Sequence, residues 1–331
     1  MALSLFSGKN KIINLEIKEH VIRFVELKQG FTPVVSKCGE RLLDPGIIKD
    51  GRIMDSNTFK LILEECIRDW KLQHRQVRFL VPDSYIVIRK LEIPNDIADD
   101  EMNSYLYLEL GTSIHLPFDE PVFDTVLLGE KNGKKEILLF AAPESIVEDY
   151  RHVLEECKLK PIAADISPLS IYRLYDYLEK DHHPNHVMVI QFDMTSVNHC
   201  IFHQKKPVFM RHNILDIEAK KWEKKITGPH SGKWIYNGDK NVYFQFLEDV
   251  FKEIEKVMSF YKYSLNNGQT GVEALIITGD HPFIDEITKH IEKRFELPLK
   301  RFDEQAIHFA YQTENDSSYY VLIGLGLKGV R

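Results

Sequence analysis

Two short stretches set a carboxylate beside a hairpin tip, the placement that phosphate and metal chemistry needs. Val187 to Phe192 is an apolar run, Asp193 to Asn198 a polar tip, His199 to Phe202 a second apolar run, and Gln204-Lys205-Lys206 precedes a third, Pro207 to Met210. The order repeats near the start, in Ile12 to Ile17, the tip Lys18-Glu19-His20, Val21 to Leu27, the turn Gln29-Gly30 and Phe31 to Val35. Both read as strand, tip, strand, turn, strand, with Glu16 placed much as Asp193 is. In a nucleotide-binding fold of two halves such tips face a central cleft, where backbone N–H groups and one carboxylate hold phosphates and a metal ion. Glu16 and Asp193 are the candidate acids. An ordinary strand-end acid is the competing reading of Glu16.

Other groups that could do chemistry are less specific. His182, His183 and His186 crowd together between the halves without a supporting thiol or carboxylate pattern, which favours a polar linker over a metal site. Cys38, Cys66, Cys157 and Cys200 are far apart and show no CxxC pairing, as buried reduced thiols of a cytosolic protein do. The run Ala219 to Lys225 sets four lysines around Trp222, and reads as a solvated helix face anchored by the indole. With 43 basic against 50 acidic side chains the net charge is -7, which excludes a general nucleic-acid binder. Met1 to Asn10 lacks the apolar core of a signal peptide and reads as a frayed terminus. No window approaches the roughly 20 apolar residues of a membrane span.

The elements that must position these tips follow from periodicity. A helix capped by Asp55 or Ser56 carries Phe59, Leu63, Cys66, Ile67 and Trp70 on one face, and Gln76 to Val81 is a strand. Ser84 to Ile93 alternates, a helix runs from Asp96 toward Leu110, Phe123 to Leu128 and Lys135 to Ala142 flank an Asn132-Gly133 turn, and Ser145 to Cys157 is amphipathic. This segment, 84–159, reads as a small α+β unit inserted into the first half. Gly228 to Lys240 reads as a loop before a long helix whose stripe includes Leu247, Phe251, Ile254 and Tyr261. Glu273 to Thr278 is a buried strand ending at Gly279-Asp280, and Tyr319 to Gly329 is a closing apolar helix.

The order and spacing of several pieces resemble the PilM proteins of type IV pilus assembly, which share an actin-like fold with the cell-division protein FtsA. These pieces are Asn14-Leu15-Glu16-Ile17, Leu91-Glu92-Ile93-Pro94, His115-Leu116-Pro117-Phe118, Phe140-Ala141-Ala142-Pro143, Ile277-Thr278-Gly279 and Ile323 to Gly329. The resemblance implies an α/β, actin-like ATPase fold of two related halves with a small inserted α+β subdomain. In its terms 1A is 11–83 with 160–185, 1C is 84–159, 2A is 186–218 with 272–331, and 2B is 219–271. It also implies a cytoplasmic scaffold for type IV pilus, type II secretion or competence pilus assembly, peripheral at the inner face of the membrane. The implied partner is the N-terminal tail of a PilN-like single-pass membrane protein, held between 1A and 1C. A second copy of the chain is the other partner considered.

Departures from the family pattern fall on the nucleotide site. The first tip, Asp-Ile-Gly-Ser in the family, is Glu16-Ile17-Lys18-Glu19 here. The second, Asp-Ile-Gly-Ala, is Asp193-Met194-Thr195-Ser196, and the third, Thr-Gly-Gly-Gly, is Thr278-Gly279-Asp280-His281. Glycine lets backbone N–H groups approach phosphate unobstructed. Its loss makes Glu16, Lys18, Asp193, Thr195, Gly279 and Asp280 a remnant nucleotide site that takes no cofactor or holds ATP and magnesium weakly. Lys18 is alternatively a replacement cation for phosphate, against which Glu19 argues. An active actin-like ATPase or a sugar-kinase-like enzyme is the alternative function.

Overall fold

The computed structural model describes residues 12–28, 33–179, 184–215, 221–228, 231–300, 302, 307–310 and 316–329. In chain order these form β1 (Ile13–Lys18), β2 (Val21–Lys28), β3 (Val34–Leu42), β4 (Ile48–Lys49), β5 (Arg52–Ile53), α1 (Ser56–Asp69), β6 (Gln76–Leu80), β7 (Val87–Pro94), α2 (Met102–Glu109), β8 (Pro121–Lys131), β9 (Lys134–Pro143), α3 (Glu144–Glu156), β10 (Lys160–Asp165) and α4 (Ser167–Leu178). The second part forms β11 (His186–Phe192), β12 (Ser196–His203), β13 (Lys206–Ile214), β14 (Trp222–Gly228), β15 (Ser231–Tyr236), α5 (Lys240–Phe260), β16 (Ala274–Thr278), α6 (Ile284–Arg294), β17 (Leu299–Lys300), β18 (His308–Phe309) and α7 (Tyr320–Gly326).

The two hairpins seed two sheets of matching topology. The first runs β10-β6-β1-β2-β3-β18 and the second β13-β12-β11-β16-β17. In each, the hairpin's first strand pairs antiparallel with its mate and parallel with a later strand, β1 with β2 and β6, β11 with β12 and β16. The parallel strands therefore end on the same side as the hairpin tips, and both sets of ends meet in one cleft. The central strands are buried on both faces, which is why β1 and β11 are mainly apolar; away from the cleft, Asn14 donates to the Val25 carbonyl and His186 meets Tyr261.

Helices α4 and α7 lie between the sheets. Ile171, Leu174, Leu322 and Ile323 share a core with Val25 and Leu80 of the first sheet and Val187 and Ile276 of the second. The helices touch at Gly324, where a Cβ would lie 1.9 Å from the Ser170 carbonyl oxygen. Outside the sandwich, α1 and α3 cover the first sheet, while α5, α6 and Trp222 cover the second. Local chemistry sets the ends: Asp55 accepts from the Thr58 N–H at 3.0 Å to start α1, and Asn132 and Gly133, with φ of 52° and 74°, make the β8–β9 turn.

Two expectations, both in the lysine-rich region, need correction. The lysine-rich run is not a helix face: residues 222–228 form β14, paired antiparallel with β15, which lies inside the stretch read as a loop. Trp222, Trp234 and Tyr236 turn toward the second core, so the period is two rather than 3.6. Ala219 and Lys220 lie outside the described residues, as do Met1 to Asn10, the Gln29-Gly30 turn, Phe31, His182 and His183. The segment 84–159 divides by packing, since β7, α2, β8 and β9 share one core while Ile146, Tyr150 and Leu154 of α3 belong to the first sheet's core. Finally β18, unread in the sequence, pairs parallel with β3. Among the described residues no helix is long and apolar enough to cross a membrane.

Gly324→Ala is expected to destabilise the protein by about 3 kcal/mol, because a methyl group must push α4 from α7 in a core already closely packed. A shift of the urea midpoint to lower concentration at unchanged slope is the predicted reading, and an unchanged midpoint would show that the helices can separate freely.

Candidate functional site

The cleft between the sheets is built from strand ends. Glu16 and Lys18 sit two residues apart on β1 and so share a face. Asp193 follows β11, and its N–H donates to the Ser196 carbonyl at 2.9 Å to close the second tip. Asp280 follows β16 by way of Gly279, whose φ is 124° and whose missing Cβ would stand 1.8 Å from the Phe192 carbonyl oxygen. That glycine is required by the close approach of two chain segments, with no ligand invoked.

Four of the six candidate residues meet around one ammonium. Lys18 Nζ lies 2.9 Å from Glu16 Oε1, 2.9 Å from Asp193 Oδ1 and 3.7 Å from Asp280 Oδ2. Two residues of the first hairpin that sequence reasoning passed over complete the cluster. His20 Nε2 is 2.8 Å from Asp280 Oδ2, and Arg23 bridges Asp280, Glu40 and Glu16. Arg23 stands opposite Glu16 in the β1–β2 register, a pairing the sequence allows but does not announce. Lys18 therefore faces carboxylates. Thr195 lines the cleft wall, its carbonyl accepting from the Leu215 N–H at 2.8 Å, and stays outside the ion cluster.

Charge states follow from burial and neighbours. Burial works against the Lys18 charge, but Asp193, Asp280 and Glu16 outweigh it and hold the ammonium protonated well above its ordinary range. Burial also opposes ionisation of Asp280, and His20, Lys18 and Arg23 overcome it, so this carboxyl stays below the usual range. Asp193 is raised, chiefly by burial, against the pull of Lys18. The cluster thus contains committed cations and acids of unequal strength.

A second network leads away from Asp193. Gln191 Nε2 donates to Asp193 Oδ2 at 2.8 Å, and Ser167 Oγ lies 2.8 Å from Gln191 Oε1 and also meets Asp83 Oδ2. Asn198 Nδ2 donates to the same Asp83 oxygen at 2.8 Å, and His212 Nδ1 lies 2.6 Å from Asn198 Oδ1. Ser167 has one hydroxyl proton and two acceptor neighbours, so a proton on Asp83 lets every link close: Asp83 donates to Ser167 and Ser167 to Gln191. Burial raises the Asp83 carboxyl to about 7, in keeping with that proton. Asp83 and Ser167 follow β6 and β10, as Asp193 and Asp280 follow β11 and β16. The carboxyl ends of parallel strands are the signal that could have located all four.

Among the described residues these groups take up much of the cleft. About 80 Å³ of free space remains beside Lys18, Asp83 and Tyr150, and about 10 Å³ beside Gly279, Asp280 and Ser318, far below the roughly 300–1,000 Å³ of small-molecule pockets. Among the described residues no group of three or more His, Cys, Asp or Glu is arranged to hold a metal ion. His281 is core, capped by the Phe283 N–H and hydrogen-bonded to Tyr243. His186 stacks on His203 and meets Tyr261 Oη at 2.6 Å. A larger space lies outside the cleft. A groove of about 530 Å³ runs between the first sheet's loops and the inserted sheet, lined by Arg52, Tyr85, Val87, Pro117, Phe118 and Glu120 among others. Arg52 Nε donates to Tyr85 Oη at 2.8 Å and so braces one wall.

Two hairpin-seeded sheets of matching order, a helical layer between them and strand ends facing one cleft define an actin-like fold. Residues 14–329 match the model of the family described as type IV pilus assembly protein PilM, and the chain belongs to that family. It is similar to a solved PilM-PilN type IV pilus biogenesis complex at 18% identity, covering 97% of this chain and 99% of that one with a TM-score of 0.73. It is also similar to the ethanolamine utilization protein EutJ from Carboxydothermus hydrogenoformans (10% identity, 96% and 89% covered, TM-score 0.50). A third similar structure is MreB5 of Spiroplasma citri bound to AMPPNP (10% identity, 97% and 96% covered, TM-score 0.50). No curated protein matches the chain in sequence.

The Asp83 network has a pH signature. A carboxyl raised in the folded state favours folding below its unfolded value, and that contribution is lost as pH rises through the folded value, here from about 4 to about 7. Asp83→Asn, which mimics the protonated acid, is expected to flatten this fall and to be at least as stable as the parent at pH 8. Urea unfolding from pH 4 to pH 8 tests it, and an asparagine variant that loses stability in parallel with the parent would contradict it.

Proposed function

We propose that this chain is an adaptor of type IV pilus assembly that holds the N-terminal cytoplasmic tail of a PilN-like single-pass membrane protein, with a degenerate nucleotide site. The observation that carries this reading is the contrast between a filled cleft and an open groove. The cleft of an actin-like nucleotide binder must admit a base, a ribose and phosphates, and here Lys18, Asp193 and Asp280 close that space with their own charges. The groove, by comparison, has the volume and the mixed apolar and polar walls that an extended peptide needs. Phe118 and Pro117 offer apolar contact to two or three anchor side chains, while Arg52 and Glu120 fix orientation. The solved PilM-PilN complex supports the choice of partner. On this reading Glu16, Lys18, Asp193, Thr195, Gly279 and Asp280 are the remains of a nucleotide site. The protein works at the inner face of the membrane through its partner, and β7, α2, β8 and β9 supply one wall of the groove.

Peptide affinity is the test. A fluorescent peptide of the partner's tail should bind the full chain, and Phe118→Ala or Tyr85→Ala, each confirmed folded by circular dichroism, should weaken it by tenfold or more, about 1.4 kcal/mol. Binding at full strength by both variants would move recognition elsewhere. Titration calorimetry with Mg-ATP should give no binding heat, whereas a micromolar dissociation constant would favour the ATPase or kinase-like reading.

A further inference from the structure

We propose that the Lys18 ammonium is a built-in cation that holds the two halves of the molecule together across the cleft, so that the closed form stands without nucleotide or divalent metal. The inference rests on the reading of the cleft as one that takes no nucleotide, and it names what replaces the ligand. Lys18 comes from the first half, and Asp193 and Asp280 come from the second. Its side chain is 17% exposed and those of the two acids 5% and 2%. A charge so placed is retained only if it is paired. The described elements around the cleft contribute to the balance: Glu16 from β1, His20 and Arg23 from the first hairpin, Glu40 from β3, Asp83 after β6, Ser167 after β10, Gln191 and Asp193 from β11 and its tip, and Asp280 after β16.

The acids fall into two groups. Asp280 is also held by His20 and Arg23, so it keeps cationic partners without Lys18. Asp193 has Lys18 as its ion-pair partner among the described residues, with Gln191 as its neutral donor. Removing the ammonium therefore strands one specific carboxylate in the interface between halves. A second tie lies at the cleft mouth, where Lys224 Nζ of β14 donates to the Leu42 carbonyl at 3.2 Å and pairs with Asp44 at 3.2 Å. The β14–β15 hairpin packs close to β3 there, since a Cβ on Gly232 would lie 2.7 Å from Leu42 Cδ1. Lys18 closes the floor of the cleft and this hairpin its rim.

Thermal unfolding of the full chain at pH 7.5, as wild type, Lys18→Met, Asp193→Asn and the double variant, tests the assignment. Lys18→Met is expected to lower Tm by about 5 °C or more, as loss of one partner from a buried pair does in a chain of this size. Asp193→Asn in the same chain should recover more than half of that loss, because the stranded charge is gone. If Lys18→Met fails to fold while the double variant folds, the result is the same in stronger form. Losses that simply add, a Lys18→Met Tm equal to the wild type, or a double variant that fails where Asp193→Asn folds, would each overturn the proposal by showing that shape at position 18 matters and charge does not. A rise in wild-type Tm with Mg-ATP would instead overturn the nucleotide-free reading, which separates the two failures.

Discussion

A lysine ammonium buried among carboxylates from both halves of a molecule is stable only if the halves stay where they are. Its attraction to Asp193 and Asp280 is strong because water is largely excluded, and its desolvation is tolerable because the nearby Glu16 carboxylate adds a third negative charge. In an actin-like fold the cleft is the hinge line, so charges fixed there settle the relative placement of the two sheets. The groove outside the cleft inherits that placement, since its walls are built on loops of the first sheet and on the inserted β7, β8 and β9 unit. On the proposed reading the groove keeps a constant shape without a ligand to set it.

The rest of the fold is arranged to bring those charges to one place. Parallel strands β1, β6 and β10 in one sheet, and β11 and β16 in the other, end on the cleft side, so each strand exit delivers polar residues to it. Gly279 allows β16 to leave against the end of β11, and Gly324 allows α7 to lie on α4 between the sheets. These glycines serve backbone approach. One of them, Gly279, sits in the segment Thr278-Gly279-Asp280, where the close approach of two chain segments by itself requires a glycine.

Much of this was legible in the sequence, and the failures are physical. The duplicated hairpins, the parallel strand exits and the long stripe of α5 all announce themselves through apolar periods long enough to be unambiguous. The β14 strand did not, because Lys220, Lys221, Lys224 and Lys225 surround Trp222 so closely that polarity hides an alternation whose inward residues are aromatic. The place of α3 was hidden too, since its apolar stripe does not say which of two neighbouring sheets it covers. At the site, Glu16, Asp193 and Asp280 were recognised as acids at strand ends. Their common partner was not, because Lys18 and Asp193 are 175 residues apart and no local pattern records such a contact. Asp83 and Ser167 were passed over for the same reason.

On the proposed reading the cleft is held by its own side chains. Spin labels at Leu61→Cys on α1 and Lys252→Cys on α5, in a chain whose half-exposed Cys38 is replaced by serine, report the distance between the outer faces of the two halves. The account predicts one narrow distance distribution that is the same with and without saturating Mg-ATP. A broad or double distribution in the free protein, or a single one that shifts when Mg-ATP is added, would contradict it.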